Sequence, residues 1–184
     1  KIEDIEFIEG NIIDDSIQKA FEDCDVVIHL AAAVGVKITE EDPILTLNTN
    51  ILGTKNVLEA CKSNNVKKII LASSSEVYGE PLKIPIEESD PAIPITSYGV
   101  SKIAAEEYVK AYSISFGLKY TILRFFNAYG PGQSKDFVIP EFVNNASQNN
   151  PILIHGSGSQ VRSFCHIGDI ARGVSSSIEK GDNE

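Results

Sequence analysis

The chain has 184 residues, of which 42% are hydrophobic and 23% are charged, and its formal net charge is −10. This length and composition are typical of a globular protein that can bury a sizeable core. The negative charge argues against nucleic acid or an anionic membrane as the main partner. No secretory signal and no apolar run of membrane-spanning length is present, so we expect a protein of the cytoplasm. The three cysteines, Cys24, Cys61 and Cys165, lack the spacing of a metal site, and we expect no metal centre.

Strand-like and helix-like segments alternate along the sequence, which predicts βαβ units and an α/β fold with a doubly wound parallel sheet. The predicted strands are residues 5–9, 26–30, 68–72, 119–124 and 152–154. The predicted helices are residues 14–22, 44–64, 98–116, 139–148 and 169–179, and an acidic loop precedes the second of them. The alternation of long apolar strands and long helices ends at Gly130-Pro131-Gly132, and shorter predicted elements follow. We therefore expect residues 1–129 to form one domain and residues 130–184 to begin a smaller one.

Three polar or small-residue stretches follow directly after predicted strands. They are Ala31–Ala33, Ser73–Ser75 and Asn127–Gly130. In a parallel α/β sheet, ligands bind beyond the carboxyl ends of the strands. We therefore expect all three stretches to line one crevice, at the edge where the helix beginning at Tyr98 also starts.

Tyr98 and Lys102 are separated by one helical turn, so their side chains can lie on the same face of the predicted helix. The pKa of a tyrosine is ordinarily near 10, and lowering it to about 7 requires about 4 kcal/mol of preferential phenolate stabilisation. An ammonium group one turn away in a water-poor cleft can supply much of that stabilisation. The pair is a candidate general acid and base.

Seven motifs, in order and spanning nearly the whole chain, resemble the nucleotide-sugar epimerase and dehydratase branch of the extended short-chain dehydrogenase/reductase family. They are Gly10-Asn11-Ile12, His29–Ala33, Asn50–Thr54, Ser73–Gly79, Tyr98–Lys102, Leu123–Pro131 and Val161–Phe164. The resemblance implies a Rossmann-type fold, NAD as cofactor and a nucleotide sugar, such as a UDP-sugar, as substrate.

The resemblance also implies roles for individual residues. Tyr98 would exchange a proton with the sugar, Lys102 would bind the nicotinamide ribose and lower the pKa of Tyr98, and Ser74 would bind the reacting oxygen. Asn50 would help to order the region of the catalytic helix. The implied cofactor-binding residues are Asn11, Ile12, Leu30, Ala31, Ala32, Asn50, Ser73, Tyr98, Lys102 and Phe125. The implied substrate-binding residues are Ser74, Glu76, Asn127 and Arg162, the last two holding the diphosphate.

Glu76, a fourth catalytic candidate, bears most directly on the reaction type. Among resembling sequences, an Asp-Glu pair at this site is typical of 4,6-dehydratases, whereas Ser75-Glu76 resembles decarboxylases that act on UDP-glucuronate. Simple 4-epimerases often carry small or uncharged residues there. The first hypothesis is a UDP-glucose 4-epimerase-like enzyme, with UDP-glucuronate decarboxylase or nucleotide-sugar 4,6-dehydratase as alternatives. A non-catalytic nucleotide-binding relative is a further alternative, although Ser74, Tyr98 and Lys102 are all present.

Structural explanations compete with functional ones at several polar residues. His29 lies in a predicted buried strand and is expected to be a core histidine rather than a catalyst. Arg124 is expected either to cap the sheet or to pair with a nearby carboxylate. His155 and His166 have no metal-like partners in the sequence.

The match to the family is incomplete at the phosphate-binding turn. None of the thirteen glycines forms the G-x-x-G-x-x-G spacing that lays a dinucleotide pyrophosphate on a helix N-terminus. The first strand, its helix and the ribose-reading acidic residue are expected before Lys1, and the rest of the substrate domain after Glu184. We expect the chain alone to bind NAD poorly and to turn over little, and the full-length protein to be a homodimer that pairs its two long helices.

Overall fold

A sheet of three parallel strands is the centre of the fold. The computed structural model describes residues 5–154 and 156–183. The strands are β1 (Val26–His29), β2 (Lys68–Ser74) and β3 (Lys119–Phe125), and they lie in that order in the sheet. All three were expected from their apolar runs, and their carboxyl ends lie at the same edge because every pairing is parallel.

Helices connect these strands and cover both faces of the sheet. They are α1 (Val36–Glu41), α2 (Pro43–Leu47), α3 (Gly53–Ser63), α4 (Ser97–Phe116), α5 (Val138–Ser147) and α6 (Ile167–Glu179). A π-helical turn at Asn48–Leu52 joins α2 to α3, so the helix predicted over residues 44–64 is confirmed with one wide turn inside it. Helix α4 ends at Gly117, whose φ of 73° is left-handed and therefore suits glycine.

The main core lies between the sheet and helices α3 and α4. Leu58 and Val109 from the helices are fully buried there with Ile69 of β2. Burial of each such side chain stabilises the fold by about 1.5–3 kcal/mol. Ile70 is also fully buried but belongs to the opposite face of β2, because successive strand residues alternate. Helix α6 contacts β2 and β3, so helices cover both faces and the predicted doubly wound α/β class is confirmed.

A second, two-stranded parallel sheet was not predicted. It pairs β4 (Asn127–Tyr129) with β5 (Phe164–His166). Each strand has three residues, too few to show a hydrophobic period in the sequence. This pairing brings the segment after residue 160 next to the end of β3.

Two predicted strands are absent from the described residues. Residues 5–9 and 152–154 alternate or are apolar, but neither segment has a strand partner, and Phe7 is 87% exposed and Ile154 61% exposed. Without a partner to bind its backbone groups, an apolar segment gains little from an extended conformation. These two predictions are wrong.

Two helical predictions also need correction. The helix expected over residues 14–22 is a 3₁₀ helix, Asp15–Phe21, and the side chain of Asp14 forms no capping hydrogen bond. The acidic loop before residue 44 contains the short helix α1. Asp42 caps the helix that follows, since its Oδ1 accepts from the Leu45 N–H at 2.8 Å. The domain boundary at residue 130 stays a prediction.

The described part of the chain has no helix that is long and apolar enough to cross a membrane.

Candidate active site

The first turn of α4 lies against the carboxyl end of β2 and brings the candidate catalytic residues together. Thr96 caps α4 by accepting a hydrogen bond from the Gly99 N–H at 2.9 Å. Gly99 permits a close approach, since a Cβ there would lie 2.7 Å from the backbone oxygen of Glu76. The hydroxyl of the half-buried Tyr98 interacts with the side chain of Ser74 at the end of β2.

Glu76 lies beside this pair on the 3₁₀ turn Ser75–Tyr78. The Thr96 hydroxyl donates to Glu76 Oε2 at 2.8 Å, and the Glu76 N–H donates to Ser74 Oγ at 3.2 Å. The carboxylate is close enough to Tyr98 to raise the pKa of the phenol. The structure therefore groups Ser74, Glu76 and Tyr98 at one point.

Lys102 is the fourth member of the group, one turn along α4. Its Nζ is buried, donates to the Ala72 carbonyl oxygen at 2.8 Å and lies 5.6 Å from the centroid of the Tyr98 ring. Burial lowers the pKa of Lys102 to about 8. The ammonium is thus directed to the backbone of β2 as well as towards Tyr98.

In this arrangement burial, Glu76 and Ser74 govern the pKa of Tyr98, and the expected effect of Lys102 on it stays a prediction. Burial, followed by the Glu76 carboxylate, raises the pKa of Tyr98 to about 12, and the Ser74 hydroxyl lowers it by a smaller amount. Phenolate formation is opposed because burial disfavours the charged form and the nearest carboxylate repels it. The raised pKa consequently keeps the Tyr98 phenol protonated at neutral pH in this arrangement.

The loop after β1 carries three of the predicted cofactor-binding residues at the edge of the sheet. Leu30 is 58% exposed, Ala31 is exposed and Ala32 is half-buried. Small side chains at residues 31 and 32 leave the backbone of this loop open to a ligand. This accessibility is compatible with the expected role.

Asn50 is buried and connects this loop to helix α4. Its Oδ1 accepts from the Ala33 N–H at 2.7 Å, and its Nδ2 donates to the Ala33 carbonyl at 3.2 Å and to Ser101 Oγ at 2.9 Å. Only 2% of Asn50 is exposed. Asn50 therefore orders the loop and α4, and its direct contact with a cofactor stays a prediction.

Ser73 was also expected to contact the cofactor, and its side chain is turned away from solvent. It is 3% exposed, and its Oγ donates to Glu106 Oε1 at 2.5 Å. Glu106 in turn forms a two-pronged ion pair with Arg124, at 3.0 Å from Nε to Oε1 and 2.7 Å from Nη2 to Oε2. The expected pairing of Arg124 with a carboxylate is confirmed, and Ser73 belongs to this buried cluster.

Sequence reasoning missed Glu106, although one signal points to it. Tyr98, Lys102 and Glu106 recur every four residues and therefore lie on one face of α4. That face is packed against the sheet, so a third polar residue on it requires a partner.

The remaining predicted cofactor residues are Asn11 and Ile12, in and next to the turn before the 3₁₀ helix, and Phe125, at the end of β3. Asn11 is exposed, and its Oδ1 accepts from the Ile13 N–H at 3.1 Å. Ile12 packs against α3, where a Cβ on Gly53 would meet its side chain at 2.5 Å. Phe125 is the last residue of β3 and lies opposite Ser74 in the sheet. Their roles towards a cofactor stay predictions.

The predicted diphosphate-binding residues come from the second sheet. Asn127 Nδ2 donates to the Ser163 carbonyl at 2.9 Å, which brings the segment carrying Arg162 next to β4. Arg162 is exposed, and its Nη1 donates to the Val161 carbonyl at 2.9 Å. Its guanidinium is therefore at the surface, and its role stays a prediction.

His29 is a core residue, as expected. Its Nε2 lies 3.0 Å from Thr54 Oγ1, and burial lowers the pKa of His29 to about 4, with a smaller effect from Lys102. Among the described residues, no group of three or more His, Cys, Asp or Glu side chains could hold a metal ion. His155 lies outside the described residues.

Known proteins match this chain over most of its length. A "Putative UDP-glucose 4-epimerase" from Methanocaldococcus jannaschii is 39% identical over 91% of this chain and 57% of its own length. A "UDP-N-acetyl-alpha-D-glucosaminuronate decarboxylase" from Bacillus cytotoxicus is 38% identical over 86% of this chain and 51% of its own. The crystal structure of UDP-glucose 4-epimerase with UDP-glucose from Thermotoga maritima has 34% identity and a TM-score of 0.93, and the match covers 100% of this chain and 63% of that one.

The chain spans about half the length of these two curated relatives. The model of the "NAD dependent epimerase/dehydratase family" matches residues 1–184. Together with the Rossmann-like sheet and the Ser74, Tyr98 and Lys102 group at its edge, this match establishes that the chain belongs to the NAD-dependent epimerase/dehydratase family of enzymes.

Proposed function

We propose that the complete protein is an NAD-dependent 4-epimerase of a nucleotide sugar, with UDP-glucose as the first candidate substrate. The observation that carries the proposal is the group formed by Ser74, Tyr98 and Lys102 at the carboxyl edge of the sheet. The similarity to 4-epimerases in sequence and in structure supports it.

The residues at this edge fit the nicotinamide end of NAD. Lys102 offers an ammonium that is bonded to one carbonyl, and the loop after β1 offers an open backbone that Asn50 holds in place. Bound NAD would supply a hydride acceptor and donor for a sugar carbon. Lys102 and the backbone of residues 30–32 would hold it, and Asn11 and Ile12 would lie at its adenine end.

Tyr98 would move the proton that accompanies this chemistry. With a pKa raised to about 12, the phenol is protonated at neutral pH and can supply its proton to a developing sugar alkoxide, whereas accepting a proton requires that its pKa fall. Ser74, in contact with Tyr98, would orient the same oxygen. Lys102 would favour the phenolate whenever its ammonium moves closer to the phenol oxygen.

The nucleotide diphosphate would lie at the second sheet. Asn127 supplies an amide, and Arg162 supplies an exposed guanidinium on the adjoining segment. A guanidinium matches a diphosphate in both charge and geometry. A Lys in place of Arg162 would keep the charge but lose the paired donors.

A decarboxylase acting on UDP-glucuronate is the second candidate, because of the position of Glu76. A carboxylate beside the acid and base is not needed to invert a hydroxyl, whereas a reaction at a sugar carboxyl group requires further proton handling next to Tyr98. The similarity to a nucleotide-sugar decarboxylase also favours this candidate.

We further propose that the complete protein is a homodimer formed through the helices around α2–α4. Leu45, Leu52 and Val100 on these elements are 46%, 46% and 42% exposed. Pairing two such surfaces would remove these apolar side chains from water. Sedimentation of the complete protein as a monomer at micromolar concentration would count against the dimer.

The test of the function is product analysis. The complete protein is incubated with NAD and, separately, with UDP-glucose, UDP-N-acetylglucosamine and UDP-glucuronate, and the products are resolved by mass spectrometry and NMR. A product of unchanged mass inverted at C4 supports the epimerase. Loss of carbon dioxide from UDP-glucuronate supports the decarboxylase. No conversion of any of the three rejects these substrates and leaves another nucleotide sugar or the non-catalytic nucleotide-binding relative.

A further inference from the structure

Helix α4 and strand β2 are joined by three polar contacts at consecutive residues of the strand. The pairs are Tyr98 with Ser74, Lys102 with the Ala72 carbonyl, and Glu106 with Ser73. The helix residues are four apart and therefore share one face of α4. Together the three contacts hold this face of α4 to residues 72–74 at the end of β2.

The contact at Glu106 differs from the other two because it lies away from the reacting groups. Glu106 is fully buried, at 0% exposure, and binds Arg124 of β3 through both carboxylate oxygens as well as Ser73 of β2. A buried ion pair is often no more stabilising than apolar residues of the same shape, so stability alone is a weak explanation for it. Its directional bonds, in contrast, define one position of α4 on two strands.

Arg124 extends the same network to the turn that carries Glu76. Its Nη1 donates to the Tyr78 hydroxyl at 2.9 Å, and its guanidinium carbon lies 4.8 Å from the centroid of the Tyr78 ring. Tyr78 is buried and ends the turn Ser75–Tyr78. The network therefore contacts every element that contributes a side chain to the catalytic group.

We propose that Glu106 is a positioning residue that sets the register of α4 on the sheet and so holds Tyr98 against Ser74. This inference rests on the proposed function, because its kinetic test requires a nucleotide sugar that the protein converts. The contacts of Tyr98 and Lys102 involve groups that the reaction uses, and the bond from Ser73 to Glu106 stays in place while those groups engage ligands.

Two substitutions test this role in the complete protein. Ser73→Ala removes the bond to β2 and leaves the ion pair intact, and Glu106→Gln keeps the shape but weakens both bonds. Glu107→Gln is the matched control, because Glu107 is the neighbouring residue on α4 and is exposed. We expect Ser73→Ala and Glu106→Gln each to lower kcat about tenfold or more, since small misplacements of reacting groups are costly. We expect KM to change less than about threefold and the double variant to be no slower than the slower single variant.

A measurement without substrate separates this proposal from the proposed function. In protein labelled with ¹³C at the tyrosine Cζ, the Tyr98 resonance is identified by its loss in Tyr98→Phe. We expect Ser73→Ala to shift this resonance and Glu107→Gln to leave it unchanged. A shift in a protein that converts no nucleotide sugar would reject the proposed function and keep the positioning role.

The positioning role is rejected if Ser73→Ala leaves both kcat and the Tyr98 resonance unchanged and only lowers the melting temperature. It is also rejected if the losses in the two single variants multiply in the double variant. If Glu106→Gln fails to fold, the result of Ser73→Ala decides alone.

Discussion

At the scale of the residue, the site is built around a tyrosine whose surroundings oppose its ionisation. Burial and the Glu76 carboxylate act in the same direction on the pKa of Tyr98, and Lys102 donates to a backbone carbonyl. The protonated phenol is the form that donates to a carbonyl oxygen. Removal of a proton from a hydroxyl requires the phenolate, and so depends on how closely Lys102 approaches.

The first prediction concerns the phenol oxygen itself. Tyr98→Phe in the complete protein should lower kcat by roughly 10²–10⁴-fold, because a positioned acid and base contributes a factor of that size. The melting temperature should change little. Steady-state kinetics and thermal unfolding check both statements. Tyr108→Phe, at a half-buried tyrosine of the same helix, is the control and should retain activity.

The second prediction follows from the direction in which the Glu76 carboxylate shifts the pKa of Tyr98. Glu76→Gln keeps an acceptor for the Thr96 hydroxyl and removes the negative charge that raises the pKa of Tyr98. The phenolate becomes easier to form, so the pKa of Tyr98 falls. The limb of the pH–kcat/KM profile that rises with Tyr98 ionisation should move to lower pH, by about one unit at most.

The control for this experiment is Glu80→Gln, which removes an exposed carboxylate in the loop that follows. Its profile should coincide with that of the wild type. A Glu76→Gln limb that stays in place or moves to higher pH would contradict the assigned electrostatic effect.

At the scale of the element, the site depends on how closely the first turn of α4 approaches the turn after β2. Gly99→Ala would place a Cβ 2.7 Å from the Glu76 carbonyl oxygen and 2.9 Å from Pro94 Cβ. Backbone cannot move aside as a flexible side chain can. We expect kcat to fall tenfold or more, because reacting groups displaced by about 1 Å can lose about 10²-fold in rate.

Gly173→Ala in α6 is the matched control, because nothing lies within 4 Å of the Cβ it would add. It should leave kcat unchanged and should stabilise the protein by about 0.5–1 kcal/mol, since alanine is favoured over glycine within helices. Chemical unfolding and kinetics of both variants provide the comparison. Equal activity of Gly99→Ala and Gly173→Ala would show that close approach at Gly99 is not required.

The helices and strands that could be predicted from the sequence are those whose capping residues and apolar pattern match the way they pack in the structure. Helix α4 begins at the Thr96 cap and ends at Gly117, and β2 is apolar because both of its faces are covered. Residues 5–9 also have a pattern that predicts a strand. A strand needs a neighbouring strand to pair with, however, and no local pattern reveals that neighbour. The three-residue strands β4 and β5 depend wholly on each other and leave no local signal.

The candidate site was predictable to the extent that motifs mark it. Ser74, Glu76, Tyr98 and Lys102 are brought together as expected, whereas Ser73 is directed into the core. That difference depends on Glu106, and Glu106 cannot be distinguished from the exposed Glu107 until the partner Arg124 is located in space. Whether such a side chain belongs to the site or to the core is decided by contacts between residues that are distant in the sequence.

At the scale of the whole molecule, the chain carries the candidate catalytic residues at one edge of the sheet but no glycine-rich phosphate turn in its sequence. The 184-residue chain should therefore bind NAD weakly, because that turn supplies the backbone donors for the pyrophosphate. Isothermal titration calorimetry of the chain alone measures this affinity. A tight, stoichiometric complex would show that the residues described here are sufficient to bind the cofactor.

The most direct test of the central claim follows one hydrogen atom through the reaction. The complete protein is given NAD and the nucleotide sugar that it converts, labelled with deuterium at C4, and the product is examined by NMR and mass spectrometry. If Tyr98 and its neighbours support reversible oxidation at C4, deuterium will be found at C4 of the product and none in the water. Deuterium lost to water or moved to another carbon, or conversion by Tyr98→Phe at the rate of the wild type, would contradict the account.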